Sequence, residues 1–135
     1  TDGASSNNNL NMLEEISLAA LLAKGVNCDP SFMKAGDILP IITVNGARAQ
    51  GRENCGRLEV GAQADLFVMD LDKAHMRPVY DLPANVFHSG QSADIVLTMV
   101  DGKVVYRDGV APGIDLERVL FEVERIKMGK LQKLS

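Results

Sequence analysis

With 135 residues the chain is long enough for one domain with a real core, and its 46% apolar and 24% charged residues are the balance of a globular protein in water. A net charge of −4 excludes a general attraction to nucleic acid or anionic lipid. No apolar run approaches the roughly 18 residues of a membrane span, and the start is not a signal peptide.

The chain opens abruptly at Thr1-Asp2-Gly3 rather than at Met, which reads as a processed or truncated product. Residues 4–9 are small and polar, a loop composition. Asn11 stands three residues before Glu14, the spacing of a capping box with Asn as the cap. The helix it starts is predicted to run to about Lys24 and to stop at Gly25. Residues 12–23 are apolar on most of their circumference, so this helix requires neighbours on more than one side. Asn27-Cys28-Asp29-Pro30 reads as a turn, with Asp29 capping a short helix begun by Pro30. A further helix is predicted across residues 35–49, weakened by Pro40 and by β-branched Ile41, Ile42, Thr43 and Val44.

From Gly51 the pattern changes, and glycines punctuate short apolar runs in the rhythm of strands. The clearest strands are 66–70, 95–100 and 103–107. Asp101-Gly102 between the last two predicts a two-residue hairpin turn. Residues 72–94 contain Pro78 and Pro83 and read as a long connection with one short helix. The chain finishes in an amphipathic helix with Asp115 as N-cap and an apolar stripe of Leu116, Val119, Leu120, Val123, Ile126, Leu131 and Leu134. Arg125, Lys127, Lys130 and Lys133 form the one basic cluster, the solvated end of that helix. Helices before residue 50 and mostly strands after it give an α+β chain with two units, 1–50 and 51–135.

Cys28 and Cys55 form no close motif, so a disulfide framework is not expected and a reducing cytoplasm is. His75 and His88 belong to no H-x-H or H-E-x-x-H pattern and read as structural or surface histidines. No G-x-S-x-G or phosphate-loop motif is present. By its residues alone Asp2 reads first as an Asp-Gly turn, and second as the C-terminal end of a barrel strand, where catalytic groups sit.

The stretch Thr1-Asp2-Gly3-Ala4-Ser5-Ser6-Asn7-Asn8-Asn9-Leu10-Asn11-Met12 resembles the end of the barrel in amidohydrolases. The subgroup it resembles, chlorohydrolase-like in kind, deaminates methylthioadenosine and S-adenosylhomocysteine. Val44-Asn45-Gly46-Ala47-Arg48-Ala49 is similar to that family's helix leaving the barrel. The element G-x-L-x-x-G-x-x-A-D-L at residues 56–66, then His75-Met76-Arg77-Pro78 and Val100-Asp101-Gly102-Lys103, complete the pattern in family order. The resemblance implies a (β/α)₈ barrel, which needs about 250 residues, with a composite β-sandwich beside it. This chain would then supply the last helices of the barrel, part of the sandwich and the C-terminal helix.

By the same resemblance Asp2 is both the metal-associated and the catalytic aspartate. It accepts a proton from metal-activated water and delivers it to the amino group leaving a purine nucleoside-type substrate. The implied cofactor is one divalent metal, zinc by expectation, although a lone carboxylate also suits Fe, Mn or Ni. The family's histidine ligands and general-acid Glu have no counterpart here, so the chain alone is expected to be inactive and not to retain the metal. Asn7 and Asn8 serve as cap-and-turn residues or lie near a substrate pocket. The expected partners are the small-molecule substrate and further copies of the protein, with neither nucleic acid nor membrane. Two other readings are a non-catalytic β-rich interaction module and, among enzymes, a relative acting on guanine or a chlorotriazine.

Overall fold

The computed structural model of the chain describes residues 1–131, with Leu131 by its backbone alone. Lys133 and Leu134, expected in the terminal basic cluster and apolar stripe, lie outside the described residues. The architecture is α+β: helices in the first fifty residues, a small antiparallel sheet later, and a long helix at the end.

Helix α1 spans Met12–Asn27, and Asn11 caps it by accepting the Leu13 N–H at 3.2 Å. The reciprocal half of the expected capping box does not form. The Glu14 carboxylate takes the Asn9 side-chain amide, while the Asn11 N–H goes to Asn9 Oδ1 at 3.0 Å. Nor does α1 stop at Gly25. Glycine permits a left-handed turn without imposing one, and here Cys28 takes it, at φ 51. The Cys28 N–H reaches the Gly25 carbonyl and the Asp29 N–H the Lys24 carbonyl, both at 3.2 Å. That pair of bonds is a Schellman motif. Asp29 caps a turn rather than a helix: its carboxylate accepts the Ser31 N–H and hydroxyl at 2.8 and 2.7 Å.

Residues 35–49 form one helical run, as expected, in three pieces. Helix α2 (Ala35–Pro40) leads through a π-helical turn (Ile41–Asn45) into α3 (Gly46–Ala49). Pro40 has no N–H to give the ladder, and the wider turn after it lets the Gly46 N–H reach back to the Ile41 carbonyl. Gly56, at φ 80, lies against this turn so closely that a Cβ there would stand 2.7 Å from the Thr43 carbonyl. Only glycine fits.

The sheet has the order β1 (Leu66–Met69), β2 (Ile95–Val100), β3 (Lys103–Arg107), all antiparallel. Strand β1 ends one residue before the expected Asp70, whose N–H instead bonds the Asp94 carbonyl at 2.8 Å. Between β2 and β3, Asp101 at φ 50 and Gly102 at φ 73 form the two-residue turn, with Val100 paired to Lys103. Both central residues are left-handed, the geometry that matches strand twist. The connection between β1 and β2 holds two single 3₁₀ turns and the seven-residue helix α4 (Leu82–His88), capped by Asp81 through the Ala84 N–H at 3.0 Å.

The core is shared across the chain. Leu13, Ile16 and Ala20 of α1 pack with Ala35 and Ile38 of α2 and with Phe87 of α4. These α1 residues fall at i, i+3 and i+7, one helical stripe, and the large apolar side chains elsewhere on that helix, including Leu21 and Val26, stay exposed. Helix α5 (Leu116–Leu131) starts at Asp115, whose carboxylate accepts the Arg118 N–H at 3.0 Å. Its apolar stripe of Leu116, Val119, Leu120, Val123 and Ile126 remains 46–61% exposed.

A self-contained globule of 14.6 kDa exposes about 6,900 Å², whereas this chain exposes 10109 Å². The excess of roughly 3,200 Å² exceeds what many stable protein–protein interfaces bury. No helix among the described residues is long and apolar enough to cross a membrane.

Candidate functional site

Asp2 lies on the exposed loop that feeds α1, at φ 57. This left-handed region is open to Asp, whose short side chain can bond locally, but it disfavours most other residues. Asp2 Oδ1 accepts the Gly3 N–H at 2.7 Å, and the Thr1 hydroxyl donates to the Asp2 carbonyl at 3.1 Å. The loop then turns tightly, with the Ser6 and Asn7 N–H groups both donating to the Gly3 carbonyl at 2.9 and 3.1 Å.

Asn7 is half-buried and uses both polar atoms of its side chain. Its Nδ2 donates to the Thr1 carbonyl at 3.0 Å and to Glu15 Oε1 at 2.9 Å, and its Oδ1 accepts the Asn9 N–H at 2.9 Å. A ladder of Asn7, Asn9 and Asn11 therefore leads from the Asp2 loop to the cap of α1. The turn role read from sequence for Asn7 is what the geometry shows, with a tertiary bond to Glu15 added. Asn8 is exposed.

Could the described residues hold a metal? A structural zinc takes four ligands and a catalytic one three, plus water. Among the described residues no group of three or more His, Cys, Asp or Glu side chains is placed to do so. Asp2 offers one carboxylate, already engaged at one oxygen by its neighbour's N–H. The described residues do not bring a second and a third ligand to the Asp2 carboxylate.

His75 is occupied elsewhere. Its Nε2 lies 2.9 Å from Oδ2 of buried Asp94, which also accepts the Gln91 N–H at 2.8 Å. Burial pushes the Asp94 carboxyl up, but the bonds from His75 and Gln91 outweigh it and hold the group below the ordinary carboxylate range. His88 is exposed at the end of α4. Asp65, from the A-D-L element, accepts the Asp101 N–H at 2.7 Å and Arg52 Nη2 at 2.5 Å. These bonds fix the hairpin turn to the loop after α3, and the Asp101 N–H bond leads in keeping the Asp65 carboxyl low. So the motif residues after position 50 hold the fold.

Among the described residues, open grooves of about 400 Å³ include two near the first helices. One is lined by Asp29, Phe32 and Asp37, the other by Asn9, Leu13 and Ile95, and neither includes Asp2.

The amidohydrolase family model matches residues 1–105, so the chain belongs to the amidohydrolase family. It is 46% identical over 127 residues to a 5-methylthioadenosine/S-adenosylhomocysteine deaminase of Acetivibrio thermocellus, covering 93% of this chain and 30% of that protein. It is 39% identical over 125 residues to a 5′-deoxyadenosine deaminase of Methanosarcina mazei, covering 93% of this chain and 29% of that one. Among solved structures it is similar to a zinc-bound adenosine deaminase of Xanthomonas campestris, with TM-score 0.86, 29% identity, and coverage of 91% of this chain and 28% of the other. A zinc-complexed atrazine chlorohydrolase of Arthrobacter aurescens matches at TM-score 0.79 and 29% identity, over 91% of this chain and 28% of the other. The chain thus spans about 30% of the length of the curated relatives it matches.

Proposed function

We propose that this chain is the C-terminal part of a metal-dependent hydrolase that deaminates a purine nucleoside-type substrate. Residues 1–50 would close its (β/α)₈ barrel, and residues 51–135 would form part of a composite β-sandwich with the terminal helix. The observation that carries the reading is the identity of 46% across 93% of the chain to a protein named for this reaction. The exposed apolar faces of α1 and α5 and the surplus surface support a chain that belongs against a larger body. They weigh against the self-sufficient interaction module. Identities of 39–46% to proteins named as nucleoside deaminases, and a TM-score of 0.86 to the adenosine deaminase against 0.79 to the chlorohydrolase at the same 29% identity, favour the nucleoside over the chlorotriazine.

In this reading Asp2 is the proton carrier. Its carboxylate takes a proton from the attacking water and returns one to the departing nitrogen, so ammonia leaves and an oxo group takes its place. The metal, zinc by analogy with the two similar structures, belongs to the complete enzyme, which is proposed to work as a cytoplasmic homo-oligomer. Its remaining ligands lie outside these 135 residues.

The test is deamination of methylthioadenosine and S-adenosylhomocysteine. The complete enzyme should turn over and its Asp2→Asn variant should lose most activity. Residues 1–135 alone, with zinc added, should neither turn over nor bind the metal better than a short Asp-bearing peptide. Robust turnover by the 135-residue chain would refute the proposal.

A further inference from the structure

Asp2 is a loop residue whose two flanking carbonyls are held by one side chain and its own backbone. Asn7 Nδ2 donates to the Thr1 carbonyl at 3.0 Å, and the Asn7 N–H donates to the Gly3 carbonyl at 3.1 Å. These carbonyls belong to the residues immediately before and after Asp2, so the clamp fixes the backbone on both sides of the carboxylate. It holds Asp2 at φ 57, one of several settings open to an Asp in a free loop.

The clamp is anchored. The second Nδ2 hydrogen of Asn7 goes to Glu15 Oε1 at 2.9 Å, and Glu15 sits in the first turn of α1 between buried Leu13 and Ile16. A continuous path therefore runs from the packed core through α1, Glu15 and Asn7 to the peptides that carry Asp2. Loops position reactive groups well only when a rigid element fixes them, and this path supplies the fixing. Glu15 has no hydrogen bond to the Asp2 side chain itself among the described residues; it acts through Asn7.

We propose that Asn7, held by Glu15, is the positioning residue for the Asp2 carboxylate, an inference that rests on the reading of Asp2 as proton carrier. Asn7 does not exchange protons. Its task is to keep a single backbone conformation, so that the carboxylate meets the water and the leaving nitrogen without rearrangement.

The test uses the complete enzyme. Asn7→Asp removes both Nδ2 donors and keeps the oxygen that takes the Asn9 N–H, while Asn7→Ala removes all three bonds. Both should lower kcat by about 10- to 100-fold with KM within about twofold, since a small misplacement of a reacting group has effects of that order. Glu15→Gln keeps an acceptor for Asn7 and should stay within about threefold of wild type, whereas Glu15→Leu should fall with the Asn7 variants. This rescue pair carries the test if Asn7→Ala does not fold. Melting temperature, read in parallel, separates positioning from bulk stability: variants that melt earlier but keep the wild-type kcat would overturn the proposal. Asp2→Asn distinguishes the two levels of reading. If it abolishes turnover while Asn7→Asp and Glu15→Leu run at the wild-type rate, positioning by Asn7 fails alone. If Asp2→Asn itself runs at the wild-type rate, the role of Asp2 fails and the clamp has nothing to position.

Discussion

Buried Asp94 and half-exposed His75 meet at 2.9 Å, joining the turn before β2 to the 3₁₀ turn after β1. The same carboxylate takes the Gln91 N–H, and the Asp94 main-chain carbonyl takes the Asp70 N–H at the end of β1. One residue thus ties three segments around the sheet, and its titration has a defined sign. Its native carboxyl ionises below the unfolded value near 3.9. The stabilisation is therefore complete above that pH and fades as pH falls through the native value. Asp94→Ala should cost about 1–3 kcal/mol at pH 7, because it leaves the Gln91 N–H unpaired. The gap between variant and wild type in urea denaturation should shrink below about pH 4. A gap independent of pH would contradict this account.

Asp65 predicts a local effect rather than a global one. Its Oδ1 holds the Asp101 N–H at the hairpin turn and its Oδ2 holds Arg52. Asp65→Ala should speed hydrogen exchange at the Asp101 amide. The amides paired within β1 and β2 should change less. Uniform loss of protection across the sheet would mean that the turn and the sheet open together.

Phe87 is the one large side chain that α4 buries, and it completes the cluster of Leu13, Ile16, Ala20, Ala35 and Ile38. Phe87→Ala should destabilise by about 3–5 kcal/mol, enough to unfold much of a marginal protein. Far-ultraviolet circular dichroism should show lost helix, and an unchanged melt would mean that α1 and α2 pack without α4.

Helix α5 predicts behaviour in solution. With its stripe exposed, the 135-residue chain should scatter light as more than its 14.6 kDa mass, increasingly so with concentration. Leu120→Glu with Val123→Lys should bring the mass down and change folding stability by no more than about 0.5 kcal/mol, since both positions are exposed. A wild-type chain that stays monomeric at every concentration would argue for the interaction module.

Much of this fold was legible because its signals are local. Asp101-Gly102 between two apolar runs gave the hairpin, Asn11 and Asp115 gave two helix starts, and short apolar runs punctuated by glycines placed the strands to within one residue. What failed depends on which of several permitted local options the rest of the chain selects. Gly25 could end α1, but Cys28 accepts the left-handed turn three residues later. Asp29 could cap a helix, but Ser31 satisfies it within a turn. The π turn after Pro40 and the docking of Phe87 on α1 are matters of spacing and packing that no short window encodes. At the candidate site, the sequence marked Asp2 and Asn7. The bond from Asn7 to Glu15 spans eight positions without periodicity, so only coordinates reveal it.

The docking of α4 onto the first two helices also has a consequence for biosynthesis. Phe87 follows Ala20 by more than sixty positions, so a ribosome must thread out those residues before α1 and α2 gain the side chain that completes their cluster. Until then the patch of α1 and α2 that Phe87 covers is bare, and exposed apolar surface of that kind is what chaperones bind and what aggregates at high concentration. Slow translation before residue 87 would prolong that exposure, whereas a slow stretch after it would give the helices time to close.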